Sequence, residues 1–197
     1  MNTPAHLIVA AAAFARPSER WRDVERRVTA AALFGAILPD LSLYLMFAWA
    51  RLVQGRSPQQ IFDIDYFSES WQAVFAVDNS IPLWTLALVV GVALRGPVLI
   101  AFAVSGLLHL VTDFLLHNDD ARRHLWPFSD WVFVSPVSYW DPQHYGHIAG
   151  AAEGLLCLGL LALLWRRFRG VAARGVILLA GLLQLAPALA FALLFAG

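Results

Sequence analysis

The chain has 197 residues and a formal net charge of zero; 59% of it is hydrophobic, 14% is charged, and its mean hydropathy is +0.63. A soluble globular domain carries about 25% charged residues, so composition excludes that class and points to an integral membrane protein. Zero net charge argues against a nucleic-acid partner, and a single Cys, Cys157 in an apolar block, excludes an intrachain disulfide and a thiolate metal cluster.

The first segment, MNTPAHLIVAAAAFARP, lacks the basic n-region of a signal peptide and reads as mature structure. Residues 3–15 are too short to span a bilayer and predict a half-length helix, with Thr3 as N-cap and Pro4 at its first position. Five apolar blocks follow, at 28–52, 80–94, 97–116, 149–165 and 175–196, near the ~20 residues that a spanning helix needs. Gly96 and Pro97 make blocks two and three a tight helical hairpin. The expected fold is all-α: a polytopic membrane helix bundle of about five spanning helices plus the half-helix, forming one membrane domain over 1–197.

Arginine sets the orientation; every basic residue is Arg. Arg16, Arg20, Arg22, Arg26 and Arg27 precede the first block, Arg95 sits in the hairpin turn, and Arg166, Arg167, Arg169 and Arg174 lie between blocks four and five. The positive-inside rule puts this group in the cytoplasm, as expected of a multi-pass membrane protein. The connections 53–79 and 117–148 then face outward. In the first, Ile61, Ile64, Phe67, Trp71 and Phe75 form a helical stripe suited to the interface plane. In the second, LWPFSDWVFVSPVSYWDPQHYG crowds aromatics among prolines, which fits either a headgroup-level belt or an ordered lid.

Polar residues inside the apolar blocks carry the functional signal. Asp40 interrupts AALFGAILPDLSLYLMFAW, where a carboxylate costs about 2.5–3.5 kcal/mol at the bilayer centre. Pro39 beside it removes a helical hydrogen bond, and a broken helix with an acid is tolerated where it lines a polar cavity. His109 and Asp113 are spaced i, i+4, with His117 one step further on the same face. Such a pair grips a divalent ion when other ligands join it, and otherwise serves as a hydrogen bond between side chains.

Depth favours the ion. At 1.5 Å per residue, His109 stands roughly 21 Å above Arg95, Asp40 roughly 20 Å above Arg27, His6 roughly 15 Å from Arg16 and Asp113 roughly 27 Å above Arg95. Three segments thus bring His6, Asp40, His109 and Asp113 to similar depth, with a donor set suited to zinc, manganese or iron. We expect zinc or manganese. Beyond them, HNDDARRH (117–124) supplies Asp119, Asp120 and His124 for a second metal or for a base and proton relay, or forms a solvated turn. Arg122 and Arg123 suit a phosphate headgroup or a plain surface pair. Asp78, Asn79 and Ser80 read as a helix cap before Pro82, and Glu153 either enters the same cavity or snorkels.

A TPAH start, a Leu-Pro-Asp and a later HxxxD on an apolar helix resemble the bacterial inner-membrane proteins described as membrane-bound metal-dependent hydrolases. The resemblance covers His6, Pro39-Asp40, His109 and Asp113, and implies those four as metal ligands. The chain departs from it at FAVDNSIPLW, where Asn79 stands in place of the His of a HRxxTHS stretch. IFDIDYFSESWQAVFAVDNS and HLWPFSDWVFVSPVSYWDPQHYG look closer to a proteobacterial subgroup often labelled as cobalamin-biosynthesis proteins, although no P-loop and no glutaminase Cys–His pair occurs here.

The function expected from these readings is metal-dependent hydrolysis of a lipid-like or amphiphilic ester near the outer leaflet, with Asp120 or His117 as base and membrane lipid as partner. The alternative is a non-catalytic transporter or a metal-binding membrane scaffold.

Overall fold

The computed structural model describes residues 1–17 and 23–195, with side chains up to residue 186. Arg20 and Arg22 of the basic cluster and residue 196 of the fifth block lie outside the described residues. The described chain is all-helical: α1 Thr3–Phe14, α2 Asp23–Leu52, a short α3 Pro58–Gln60, α4 Glu69–Asp78, α5 Ile81–Ala93, α6 Pro97–Leu116, α7 Gly146–Arg167 and α8 Val171–Phe195. Four stretches are long and apolar enough to cross a membrane: Asp23–Leu52, Glu69–Ala93, Pro97–Leu116 and Gly146–Arg167. Outward-facing Leu86, Val89, Val92, Leu155 and Leu158 are all exposed. In water such a surface would be a liability; under lipid it is the ordinary finish of a spanning helix.

The centre of the bundle is the α2–α6 contact, and small residues make it close. Ala32, Gly35 and Ala36 are buried on α2; Ala101 and Ser105 are buried on α6. A Cβ on Gly35 would sit 2.1 Å from the Phe102 carbonyl oxygen of α6. Backbones can approach this far only when neither helix has a side chain in the way. The buried stripe of α6 recurs every four residues, as a helix face must. It runs Ala101, Ser105, His109, Asp113, and so changes from small to polar towards the helix C-terminus. The packing face and the polar face are one face.

α1 lies beside α2 and α7, as a half-length helix. Its last carbonyls, left without helical partners, are taken by a cation: Arg167 Nη1 donates to the oxygens of Ala12 (2.7 Å) and Ala15 (2.8 Å). Asn2 at the other end meets Glu153 of α7. The helix therefore runs parallel to α7, with its His6 end away from the arginines.

Several details differ from the sequence reading. Asn2, not Thr3, occupies the N-cap position of α1, because Thr3 is already helical and its hydroxyl is turned to Asp40. α2 passes through Pro39 unbroken. The stripe of 61–75 is not one interfacial helix: it divides into a π-helical turn, Ile61–Asp65, and α4, separated where Ser68 turns extended. Ile61 and Phe75 are buried, while Ile64 and Phe67 are exposed. The cap before Pro82 is as expected, with Ser80 Oγ accepting from the Leu83 amide.

The loop after α6 folds back to cap that helix. The amides of Ser135 and Tyr139 donate to the oxygens of His117 and Leu116, and Ser135 Oγ donates to Leu115. Asn118 Nδ2 donates to the Ser135 carbonyl in return. These bonds satisfy the orphan carbonyls of the last turn of α6 and bring Tyr139 and Trp140 over the end of the polar stripe.

Candidate metal centre

Three helices contribute to one buried cluster. His6 comes from α1, Asp40 from α2, and His109 and Asp113 from α6; all four are at most 8% exposed. One donor atom each from His6, Asp40 and His109 lies within 4.8 Å of the others. Asp113 meets both imidazoles, with Oδ1 at 3.1 Å from His6 Nε2 and Oδ2 at 3.1 Å from His109 Nε2. His109 Nε2 also lies 3.6 Å from Asp40 Oδ1. Two ligands held ~2.0–2.1 Å from one tetrahedral ion stand roughly 3.3 Å apart; the spacings here match that value and are also those of His–carboxylate ion pairs.

The hydrogen positions sharpen the case. His109 Nδ1 is 2.7 Å from the Ala36 carbonyl oxygen, which can only accept, so Nδ1 carries the proton. In the neutral ring Nε2 is then a lone pair, aimed at two carboxylates. This is how histidine ligands are oriented, with the outer N–H bonded to a backbone carbonyl. His6 Nε2 and His109 Nε2 are both buried, and each has an Asp113 oxygen 3.1 Å away. Protonating both would remove the lone-pair repulsion but create another: the rings stack 3.6 Å apart at 12°, and two imidazolium charges at that distance repel. A divalent cation would serve both nitrogens with neutral rings. The residues fit such an ion.

Around this cluster the contacts are polar and directional. Thr3 Oγ1 donates to Asp40 Oδ2 (2.5 Å) and lies 2.7 Å from the Tyr44 hydroxyl. The Met1 amino nitrogen lies 2.7 Å from Asp113 Oδ1. His117 links the cluster to the outside, with Nε2 3.4 Å from Asp113 Oδ2 and Nδ1 2.8 Å from Asp120 Oδ2. Burial alone would lower the His117 pKa, but Asp113 and Asp120 outweigh it and raise it to about 9. Burial pushes the Asp120 carboxyl up, and the His117 contact overcomes this and holds it below the usual carboxylate range. The two form an ion pair that lines a 420 Å³ pocket together with Asp40, Tyr66, Arg122 and Tyr139.

Arg122 is where the sequence reading fails most clearly. It is no surface cation and is not free to grip a headgroup: it is 4% exposed. Its Nη1 donates to Asn79 Oδ1 (3.1 Å) and the Pro39 carbonyl (3.3 Å), its Nε donates to the Tyr66 hydroxyl (3.4 Å), and it stands 3.9 Å from Asp40 Oδ1. Its plane lies over the Phe75 ring. Burial works against the charge, but Tyr66 and Asp40 more than offset it and hold the pKa above that of a free guanidinium. Asn79 is wholly buried and reaches the same Pro39 carbonyl (3.4 Å). Sequence spacing gives no hint of the Arg122–Asn79–Tyr66 set; the one available signal was the departure at Asn79.

The second metal grouping does not form. Asp119 is exposed, and His124 turns its Nδ1 to the Arg122 carbonyl (3.0 Å) and its ring edge to Phe114. Glu153 does not enter the cluster either; it accepts from Asn2 Nδ2 (2.8 Å) and Gln184 Nε2 (2.6 Å).

His124 makes a pH prediction. Burial lowers its pKa from the ordinary 6.5 to about 4, against a weaker opposing pull from the Arg122 carbonyl. As pH falls the unfolded chain takes up this proton first, so the contribution to stability is complete above about 6.5 and is lost between about 6.5 and about 4. In detergent, the thermal midpoint of the wild type is expected to fall further between pH 7 and pH 5 than that of His124→Gln. Parallel curves for the two proteins would remove the assignment.

Neither a protein-family model, nor a curated protein, nor a solved structure matches this chain. What the site does therefore follows from its own geometry.

Proposed function

We propose that the protein is a metal-dependent hydrolase of the bacterial inner membrane, related to the membrane-bound metal-dependent hydrolases it resembles, and acting on a lipid-like or amphiphilic ester near the outer leaflet. One observation supports this reading: the Nε2 atoms of stacked His6 and His109 converge on the carboxylates of Asp40 and Asp113 at 3.1–3.6 Å, from three helices. Those four residues would hold a divalent ion, zinc or manganese by donor type. When bound, such an ion supplies Lewis acidity, which polarises an ester and makes water acidic enough to act as nucleophile near neutral pH.

The remaining residues handle position and protons. Asp120, ionised beside His117, is the acceptor lining the pocket, and His117 connects it to Asp113. Arg122, bonded to the Pro39 carbonyl, fixes the turn of α2 that carries Asp40. Thr3 orients the Asp40 carboxylate from the other side. Tyr66 and Tyr139 line the pocket. On this reading, the arginine asymmetry would turn the pocket towards the periplasmic side.

The test is turnover of short-chain and lipid esters and phosphoesters by purified protein in detergent, with and without added zinc or manganese. Chelation should abolish turnover and the metal restore it. Asp120→Asn should lower kcat by about 10²–10⁴-fold, the usual contribution of a general base, while the metal content stays at the wild-type level. A metal-dependent rate that is unchanged in Asp120→Asn refutes the role of Asp120.

A non-catalytic metal-binding scaffold is the second reading. It is favoured by the engagement of Asp40 Oδ2 with Thr3 and of Asp113 Oδ1 with the Met1 amino nitrogen. It predicts stoichiometric metal without turnover of any ester.

A further inference from the structure

A cavity larger than the pocket beside the His–Asp cluster lies elsewhere. It is a groove of about 1060 Å³ between α7 and α8, and its wall is overwhelmingly apolar, with Leu158, Leu161, Trp165, Ile177 and Leu182 along it. The floor is open because α7 carries glycine there. A Cβ at Gly154 would meet nothing within 4 Å, and one at Gly150 only the Tyr139 oxygen at 3.6 Å. Glu153, the one carboxylate lining the groove, is 4% exposed and bonded to Asn2 and Gln184, which settles its charge against the wall.

The groove has a direction. Asn2, Tyr139 and Trp140 wall its polar end, and the same three residues wall the pocket beside the cluster. From there α7 runs towards Arg166 and Arg167, and the lining becomes Leu, Ala and Trp. Polar at the mouth and apolar in the depth of the membrane is the chemistry of a lipid, and only hydrocarbon is present at that level to fill an apolar slot.

We infer that the groove between α7 and α8 seats one acyl chain of a membrane lipid whose polar end enters the metal pocket past Tyr139 and Trp140. This rests on the hydrolase reading for its consequence, that the substrate is a chain-bearing ester, and it sets chain selection apart from chemistry. Side chains on Gly150 and Gly154 govern the first; the His–Asp cluster governs the second.

The experiment uses full-length protein in vesicles of phosphatidylethanolamine and phosphatidylglycerol with a trace of phosphatidylethanolamine carrying a diazirine in one acyl chain. After photolysis, cross-links are mapped by peptide mass spectrometry and the metal content of the same sample is measured. The expected label concentrates on the groove residues of α7 and α8, above the level at the exposed Leu86, Val89 and Val92 of α5. Gly154→Trp should lose most of the groove label and keep the wild-type metal content; Gly150→Leu serves in its place if the Trp variant does not fold. Equal labelling of all lipid-facing helices, or wild-type labelling in a folded groove variant, overturns the inference. Groove label in a protein that binds no metal leaves the chain site standing and removes the hydrolase reading. Metal with uniform label does the reverse.

Discussion

His109→Ala is expected to abolish the divalent metal binding proposed for the cluster. The Nε2 of His109 faces both Asp40 and Asp113, and its ring stacks on His6. Loss of an outer-shell partner of a metal ligand typically costs about 10–100-fold in affinity; loss of the ligand itself costs more. Competition with a chromophoric chelator, on protein purified in detergent, measures the change. Ser105→Ala is the matched control. Ser105 lies one turn earlier on the same buried stripe of α6 and has no hydrogen-bond partner for its Oγ, so its removal leaves metal affinity unchanged and stability equal or better. Wild-type affinity in His109→Ala would mean that the imidazole is a packing group and that its contacts with the carboxylates are hydrogen bonds of a protonated ring.

The second large effect is mechanical. Gly35→Leu forces α2 and α6 apart, because the first added carbon already falls 2.1 Å from the Phe102 oxygen and 2.9 Å from its carbonyl carbon. Those are backbone atoms and cannot swing aside. Overpacking costs about 1–3 kcal/mol where side chains can shift, and occasionally more; here the cost lies at or above that range. The same contact brings Asp40 to His109, so the variant should lose metal along with stability. Gly175→Ala, at an exposed position with nothing within 4 Å, should gain a fraction of the ~1 kcal/mol helix advantage of Ala over Gly. Thermal midpoints with metal content on each sample read both effects. A folded Gly35→Leu protein with full metal content would show that the close α2–α6 approach is not what assembles the site.

The comparison of these two residues shows what a sequence can reveal. The spacing of His109, Asp113 and His117 is written locally, since a helix converts i, i+4 into a shared face. Asp40 is legible as well, because a carboxylate in an apolar run is costly wherever the helix turns it. Depth counting then brings His6 near them, since rise per residue is fixed. Rotation about the helix axis and side-chain direction are not fixed by such counting, and the residues that were misread depend on them. Arg122 and Arg123 are neighbours in a polar turn, yet one is 4% exposed and the other bridges to exposed Asp130. Nothing local distinguishes them; the pocket made by Asn79, Tyr66 and the Pro39 carbonyl does, and its parts come from three separate stretches. Glu153 was ambiguous for the same reason, as its partners Asn2 and Gln184 are 151 and 31 residues away.

The central claim is that His6, Asp40, His109 and Asp113 share one ion within the bilayer. X-ray absorption at the zinc edge, on protein loaded with one equivalent of zinc, tests it most directly. The predicted spectrum has two imidazole nitrogens and oxygen donors at ~2.0–2.1 Å, with one imidazole lost in His6→Ala. Zinc that stays hydrated or bears no imidazole, or a chain that retains none after gel filtration, would contradict the claim.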